Sequence, residues 1–145
     1  KLEGQGRKYY LAAYPYNEDL SFAFLSKGVY GMQMPQEQTA RLRTTFETYG
    51  NRLATFYLTD VLPCGIEAID AYGHTPGHTA YKVGSILIAG DIMHGTALQV
   101  KYPQYCARFD MDKEEAVRSR CRIMKMAEEE NLHIYGMHFP SPYYL

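Results

Sequence analysis

The chain has 145 residues, 46% of them hydrophobic and 21% charged, which is room for one ordinary globular domain with a real core and excludes a disordered or collagen-like chain. Fifteen basic against 16 acidic residues give a net charge of -1, so neither a nucleic-acid footprint nor a basic membrane patch is present, and no apolar run approaches the length that spans a bilayer. Three cysteines, Cys64, Cys106 and Cys121, form no Cys-x-x-Cys pair and read as free thiols rather than a disulfide framework or a thiolate metal site.

In chain order, Leu42, Phe46, Tyr49 and Leu53 recur at helical spacing. With Pro35 before them and Gly50 after, they predict a helix from Gln36 to about Tyr49. Ile66 to Ala71, Thr79 to Val83 and Ser85 to Ala89 read as strands, with a turn at Gly84 between the last two. Asp112 is placed to cap a second helix, with Glu115 in the capping-box position. Val117, Cys121, Met124 and Ala127 are its expected apolar stripe, and Lys113, Glu114, Arg118, Arg122 and Glu129 its charged face. A last strand from Leu132 to Tyr135 leads into Gly136-Met137-His138. Helix, three strands, helix and strand in that order suit a mixed α/β layer arrangement.

Four of the five histidines fall at strand ends or in the turns beside them. His74 and His78 lie in Gly73-His74-Thr75-Pro76-Gly77-His78-Thr79, His94 follows the strand ending at Gly90-Asp91, and His138 follows Tyr135; His133 alone lies inside a strand. A rigid sheet can present several ligands from such loops to one point, and neutral imidazole plus carboxylate suits zinc or iron. A single histidine beside a turn is usually only a solvated or hydrogen-bonded side chain. Two flanking a Pro-Gly turn, followed by an aspartate and a histidine at separate strand ends, point to a metal site. No Gly-x-Ser-x-Gly elbow, no phosphate-cradling glycine loop and no cysteine with a histidine in a recognisable motif occurs.

These three segments, GHTPGHTAY at 73–81, LIAGDIMH at 87–94 and GMH at 136–138, resemble the metallo-β-lactamase superfamily in order and in local context. The stretch from Gly90 through Gln99, the Phe109-Asp110-Met111-Asp112 segment, the charged helix and His138-Phe139-Pro140 resemble its methyl parathion hydrolase and acyl-homoserine-lactone lactonase branches. The resemblance runs from about Leu62 onward. It implies an α/β chain forming the C-terminal half of an αββα sandwich, with a mixed sheet and flanking helices.

By the same resemblance the metal ligands are His74, Asp91 and His138, with Asp91 bridging two metals, and His78 and His94 are second-shell or pocket residues. Aligning the family pattern on Thr75-Pro76-Gly77-His78 would make His78 the ligand instead, but Tyr81 and Lys82 then stand where the family prefers Gly and His. The superfamily's His-x-His-x-Asp-His cluster does not occur in the 145 residues. In the family it precedes the region seen here, so residues 1–145 are expected to be a single partial domain lacking the half that carries that cluster. A first residue Lys1 without Met agrees with processing or trimming, and leaves a cytoplasmic or a periplasmic location open.

The resemblance implies that the full-length form is a dinuclear zinc hydrolase of a lactone, ester or phosphotriester, acting on a small-molecule substrate. No catalytic site is complete in this chain alone, which is expected to be inactive and to hold zinc weakly or not at all. The alternatives are a non-catalytic fragment or interaction module, and an iron-dependent redox member of the same superfamily. Half of a two-sheet sandwich leaves a sheet face uncovered, so the chain is expected to self-associate or to stay bound to its missing half.

Overall fold

The computed structural model describes residues 9–12, 40, 44, 47, 53–56, 58–75, 77–108 and 110–140. The chain divides into two compact units, residues 1–57 and 58–145. In the first, β1 (Tyr9–Ala12) pairs in parallel with β2 (Leu53–Phe56), two strands that the residue pattern had not marked. Of the helix expected over 36–49, the described positions Ala40, Thr44 and Glu47 are helical and exposed; its remaining positions, among them Leu42, Phe46 and Tyr49, lie outside the described residues. Leu53, which continues the helical spacing on paper, opens β2.

The second unit is built on a four-stranded mixed sheet in the order β3 (Glu67–Asp70), β4 (Thr79–Val83), β5 (Ile86–Gly90), β6 (His133–Gly136). β3, β4 and β5 run antiparallel in sequence, and β6 joins β5 in parallel. A parallel neighbour cannot be reached by a tight turn, and the return from β5 to β6 passes through a short helix, α1 (Thr96–Gln99), and a long one, α2 (Lys113–Glu129). This is the expected α/β arrangement of mixed sheet and helices, and the four strands lie within a residue or two of the predicted ones.

Leu87, Ala89, Ala80 and Ile134 point to one face of the sheet and are buried against Ile123 and Ala127 of α2. On the opposite face Ile86 and Ile88 stay 40% and 50% exposed, and Val83 is exposed beside them. The alternation along β5 is therefore apolar on both sides, as in a strand meant to be covered twice.

The Asp112 carboxylate caps α2 by accepting from the Glu115 backbone N–H at 2.9 Å, as the sequence predicts. Glu115 does not reach back to complete the box; its carboxylate takes two bonds from Arg118 instead. The predicted charged face is exposed throughout. The apolar stripe needs correction. Its buried members are Ala116, Ser119, Arg120, Ile123 and Ala127, whereas Val117 and Met124 are half-buried and Cys121 is exposed. An arginine at the core-facing position 120 disguised the true stripe, because hydrophobicity alone rotates the buried face by one residue. Cys64, Cys106 and Cys121 are free thiols, as expected.

The turn between β3 and β4 sits on the start of α2. Gly73 accepts at its carbonyl from the Asp112 N–H at 2.9 Å and has φ near +119. A Cβ there would lie 2.1 Å from the Ala116 nitrogen and 2.4 Å from its Cα, both backbone atoms that cannot step aside. Gly73→Ala is therefore expected to cost about 4 kcal/mol or more, through strain and overlap together. A thermal melt of the variant checks this, and an unchanged midpoint would show that the turn can leave the helix at little cost.

Candidate metal centre

β3 and β5 finish, β4 starts and β6 finishes at the same end of the sheet, a consequence of two antiparallel pairings and one parallel one. The turns at that end carry His74, His78, Asp91, His94 and His138, residues far apart in sequence that the topology brings into one cluster.

Asp91 stands at its centre. Its Oδ1 is 3.1 Å from His138 Nε2, and its Oδ2 is 3.9 Å from His74 Nε2, so the two oxygens face two different imidazoles. The His94 ring lies between them, with centroids 5.0 Å from His74 and 4.7 Å from His138. Two sets of donor atoms lie close enough together to hold a cation: Asp91, His94 and His138, and His74, His94 and Asp110. Neighbouring donors on a tetrahedral zinc ion with bonds near 2.0–2.1 Å stand about 3.3 Å apart, which the Asp91–His138 pair matches and the Asp91–His74 pair approaches. Imidazole and carboxylate in this spacing fit a divalent transition metal.

His78 sits differently. Its Nδ1 lies 2.9 Å from the Ala71 carbonyl, and its Nε2 accepts the backbone N–H of Asp91 at 3.0 Å. With a carbonyl on one side and an N–H donor on the other, the ring is a neutral Nδ1–H tautomer with both nitrogens occupied. It pins Asp91 to the β3–β4 turn and has no lone pair to offer a cation. Gly90, with φ near +57, makes room for it, since a Cβ at that position would fall 2.6 Å from His78 Nε2. Burial holds the His78 pKa below its ordinary value of 6.5, with the nearby His74 ring adding to the shift. His94 is lowered in the same direction, by burial first and by His74 next.

Both shifts mean that the unfolded chain binds protons more readily than the folded one below pH 6.5. The stability of the neutral rings is complete above that pH and is lost as the pH falls towards the lower folded values. Thermal melts of the metal-free chain between pH 8 and 5 should therefore drop below pH 6.5, less steeply in His78→Ala. A slope that persists unchanged in that variant would show that His78 is not its source.

Three residues around this centre had no site role in the sequence reading. Asp110, its side chain 1% exposed, places Oδ1 3.0 Å from His74 Nδ1 and accepts the Ala107 N–H on Oδ2. Arg120, equally buried, lies 3.8 Å from that carboxylate and donates to the carbonyls of Ile92, Pro103 and Tyr105. The available signal was an arginine at helical spacing from Ala116, Ile123 and Ala127, which is a core position. Gln99 is a third such residue: its Oε1 accepts from the N–H groups of His94 and Gly95, and its Nε2 donates to Tyr105 O, which fixes the loop that carries His94.

No protein-family model and no curated protein matches the chain. Solved structures do. One is the hydrolase AbOPH of the beta lactamase superfamily, at 26% identity and a TM-score of 0.70, over 94% of this chain and 49% of that one. A second is AidC, a dizinc quorum-quenching lactonase solved with a product, at 22% identity and a TM-score of 0.63, over 73% of this chain and 37% of that one. A third is a probable metal-dependent hydrolase from Staphylococcus aureus, at 24% identity and a TM-score of 0.51, over 62% and 33%. The chain thus spans about half the length of the first of these and less of the others. A mixed sheet with flanking helices, and histidines and an aspartate gathered at one sheet end, agree with these neighbours, and the chain has the fold of part of a hydrolase of the metallo-β-lactamase superfamily.

Proposed function

We propose that this chain supplies half of the ligands of a dinuclear zinc hydrolase that cleaves a lactone, ester or phosphotriester, the remaining ligands coming from the rest of the protein. The observation that carries the reading is Asp91, whose two oxygens face His138 and His74 separately, the disposition of a carboxylate shared between two cations. A shared carboxylate would lower the repulsion between two bound cations. In this reading His74 would hold one ion and His138 the other, and His78 holds Asp91 in place through its backbone.

Bound metal supplies Lewis-acid polarisation of a substrate oxygen and an activated water. The chain's own part is to hold the donors still and to shape one wall of the pocket. A groove with about 240 Å³ of room runs beside His94 and is lined by Leu98, Tyr105, Cys106 and Ala107 among others, a wall suited to an apolar substituent of the substrate. AbOPH and AidC, a hydrolase and a lactonase, support the reaction class.

Chelation of the whole protein should abolish hydrolysis of an aryl ester or lactone, and zinc should restore it. Activity that survives full removal of metal would reject the reading, and restoration by iron alone would move it to the redox alternative. For the 145-residue chain, Asp91, His74 and His138 leave two ions short of donors, with His94 in reach of either. Metal analysis after gel filtration should find at most one weakly held ion per chain. Two tightly held ions would show that the ligand set is wrong. The exposed Val83, Ile86 and Ile88 favour association through that sheet face, and light scattering that shows a monomer across a wide concentration range would count against it.

A further inference from the structure

We propose that Asp110, held by Arg120, is a positioning residue that fixes His74 in one tautomer and one orientation before any metal arrives. Asp110 lies 36 positions from His74, in the segment leading into α2, and nothing in the histidine motifs points to it. A carboxylate at 3.0 Å from Nδ1 accepts a hydrogen bond there, so the neutral ring carries its hydrogen on Nδ1 and turns the Nε2 lone pair towards Asp91. The alternative tautomer would set two acceptors against each other at Nδ1 and aim an N–H at the cation position.

Burial makes this hold firm. An ionised carboxylate that is 1% exposed needs compensation, and Asp110 has three sources of it: the His74 Nδ1–H, the Ala107 N–H at 2.8 Å and the Arg120 guanidinium at 3.8 Å. Arg120 is itself anchored by carbonyls, including Ile92 O at 2.7 Å. Ile92 follows Asp91 directly. One guanidinium therefore ties the carboxylate that orients His74 to the chain segment that presents Asp91, and sets the spacing of the two donors from behind. The pair acts on the centre through other residues and does not itself need to touch substrate or metal.

The role of metal in this inference rests on the reading above, but the tautomer can be measured without metal. Long-range ¹H–¹⁵N correlation spectra of the metal-free chain at about pH 8.5, two units above the ordinary imidazole value, should report His74 as the Nδ1–H form. Asp110→Asn keeps the size of the side chain and lets an amide NH2 turn to Nδ1, so the same spectra should show the Nε2–H form gaining population. Zinc affinity of the whole protein, read by competition with a chromophoric chelator, should fall about 10–100-fold in that variant. A wild-type His74 that reports Nε2–H overturns the proposal even if Asp110→Asn fails to fold. So does a folded variant whose tautomer and affinity are both unchanged. If the whole protein takes up no zinc while His74 reports Nδ1–H, the metal reading fails and the positioning role stands. If zinc binds and the tautomer is wrong, only the positioning role fails.

Discussion

If the protein is the metal-dependent hydrolase proposed above, Asp91→Asn is expected to lower its hydrolysis on the order of 10³-fold, about 4 kcal/mol of transition-state stabilisation, with little change in the melting curve. The substitution keeps the shape of the side chain and leaves the backbone N–H that His78 accepts. It removes the charge and replaces one of the two oxygens with an NH2 group. Since Oδ1 faces His138 and Oδ2 faces His74, one half of the centre would meet a donor where a cation needs an acceptor. The Asp91 side chain is 30% exposed and packs no core, so the loss should appear in turnover and metal content rather than in folding. Steady-state rates with metal analysis of the same sample measure both. Unchanged turnover would reject the bridging role.

Arg120→Ala should be the most damaging substitution for stability outside the glycine turns, at about 3–5 kcal/mol. It strands the Asp110 carboxylate in a site where solvent does not reach, and it deprives the carbonyls of Ile92, Pro103 and Tyr105 of a donor. The ion pair itself is loose at 3.8 Å, so much of the arginine's contribution lies in the three carbonyls it joins. A drop of this size should lower the thermal midpoint by more than about 10 °C in a unit this small. Adding Asp110→Asn to Arg120→Ala should recover part of it, because the stranded charge disappears. A single variant that melts with the wild type would show that water or another group reaches Asp110 readily.

The residues most legible from sequence were those whose type and position agree. Thr79 to Val83 alternates and forms a strand with the predicted ends, and Asp112 caps the helix it precedes. The histidines at strand ends do cluster, because the sheet order β3-β4-β5-β6 brings those strand ends to one end of the sheet. The choice between His74 and His78 could not be made from spacing, since each ends a similar turn. It depends on which ring has a carbonyl and an N–H on either side, a property of the Ala71 and Asp91 backbones. Arg120 and Asp110 stayed hidden for a related reason. Charge at a helical position reads as solvent-facing, and only three-dimensional packing shows that several carbonyls and a carboxylate have been arranged around it.

The parallel pairing of β5 with β6 also governs how the chain acquires its centre. The β3–β4–β5 meander is made of local contacts, whereas the β5–β6 pairing closes a loop that contains α1, α2 and their connections. Contacts of such long sequence separation carry a larger loop-closure cost. His138 lies just beyond β6, so the donor pair it makes with Asp91 depends on this long-range pairing. A cation that used both residues would find its donors together only where β6 is paired with β5, so fraying of that one strand would open the candidate centre while leaving the β3–β4–β5 meander paired.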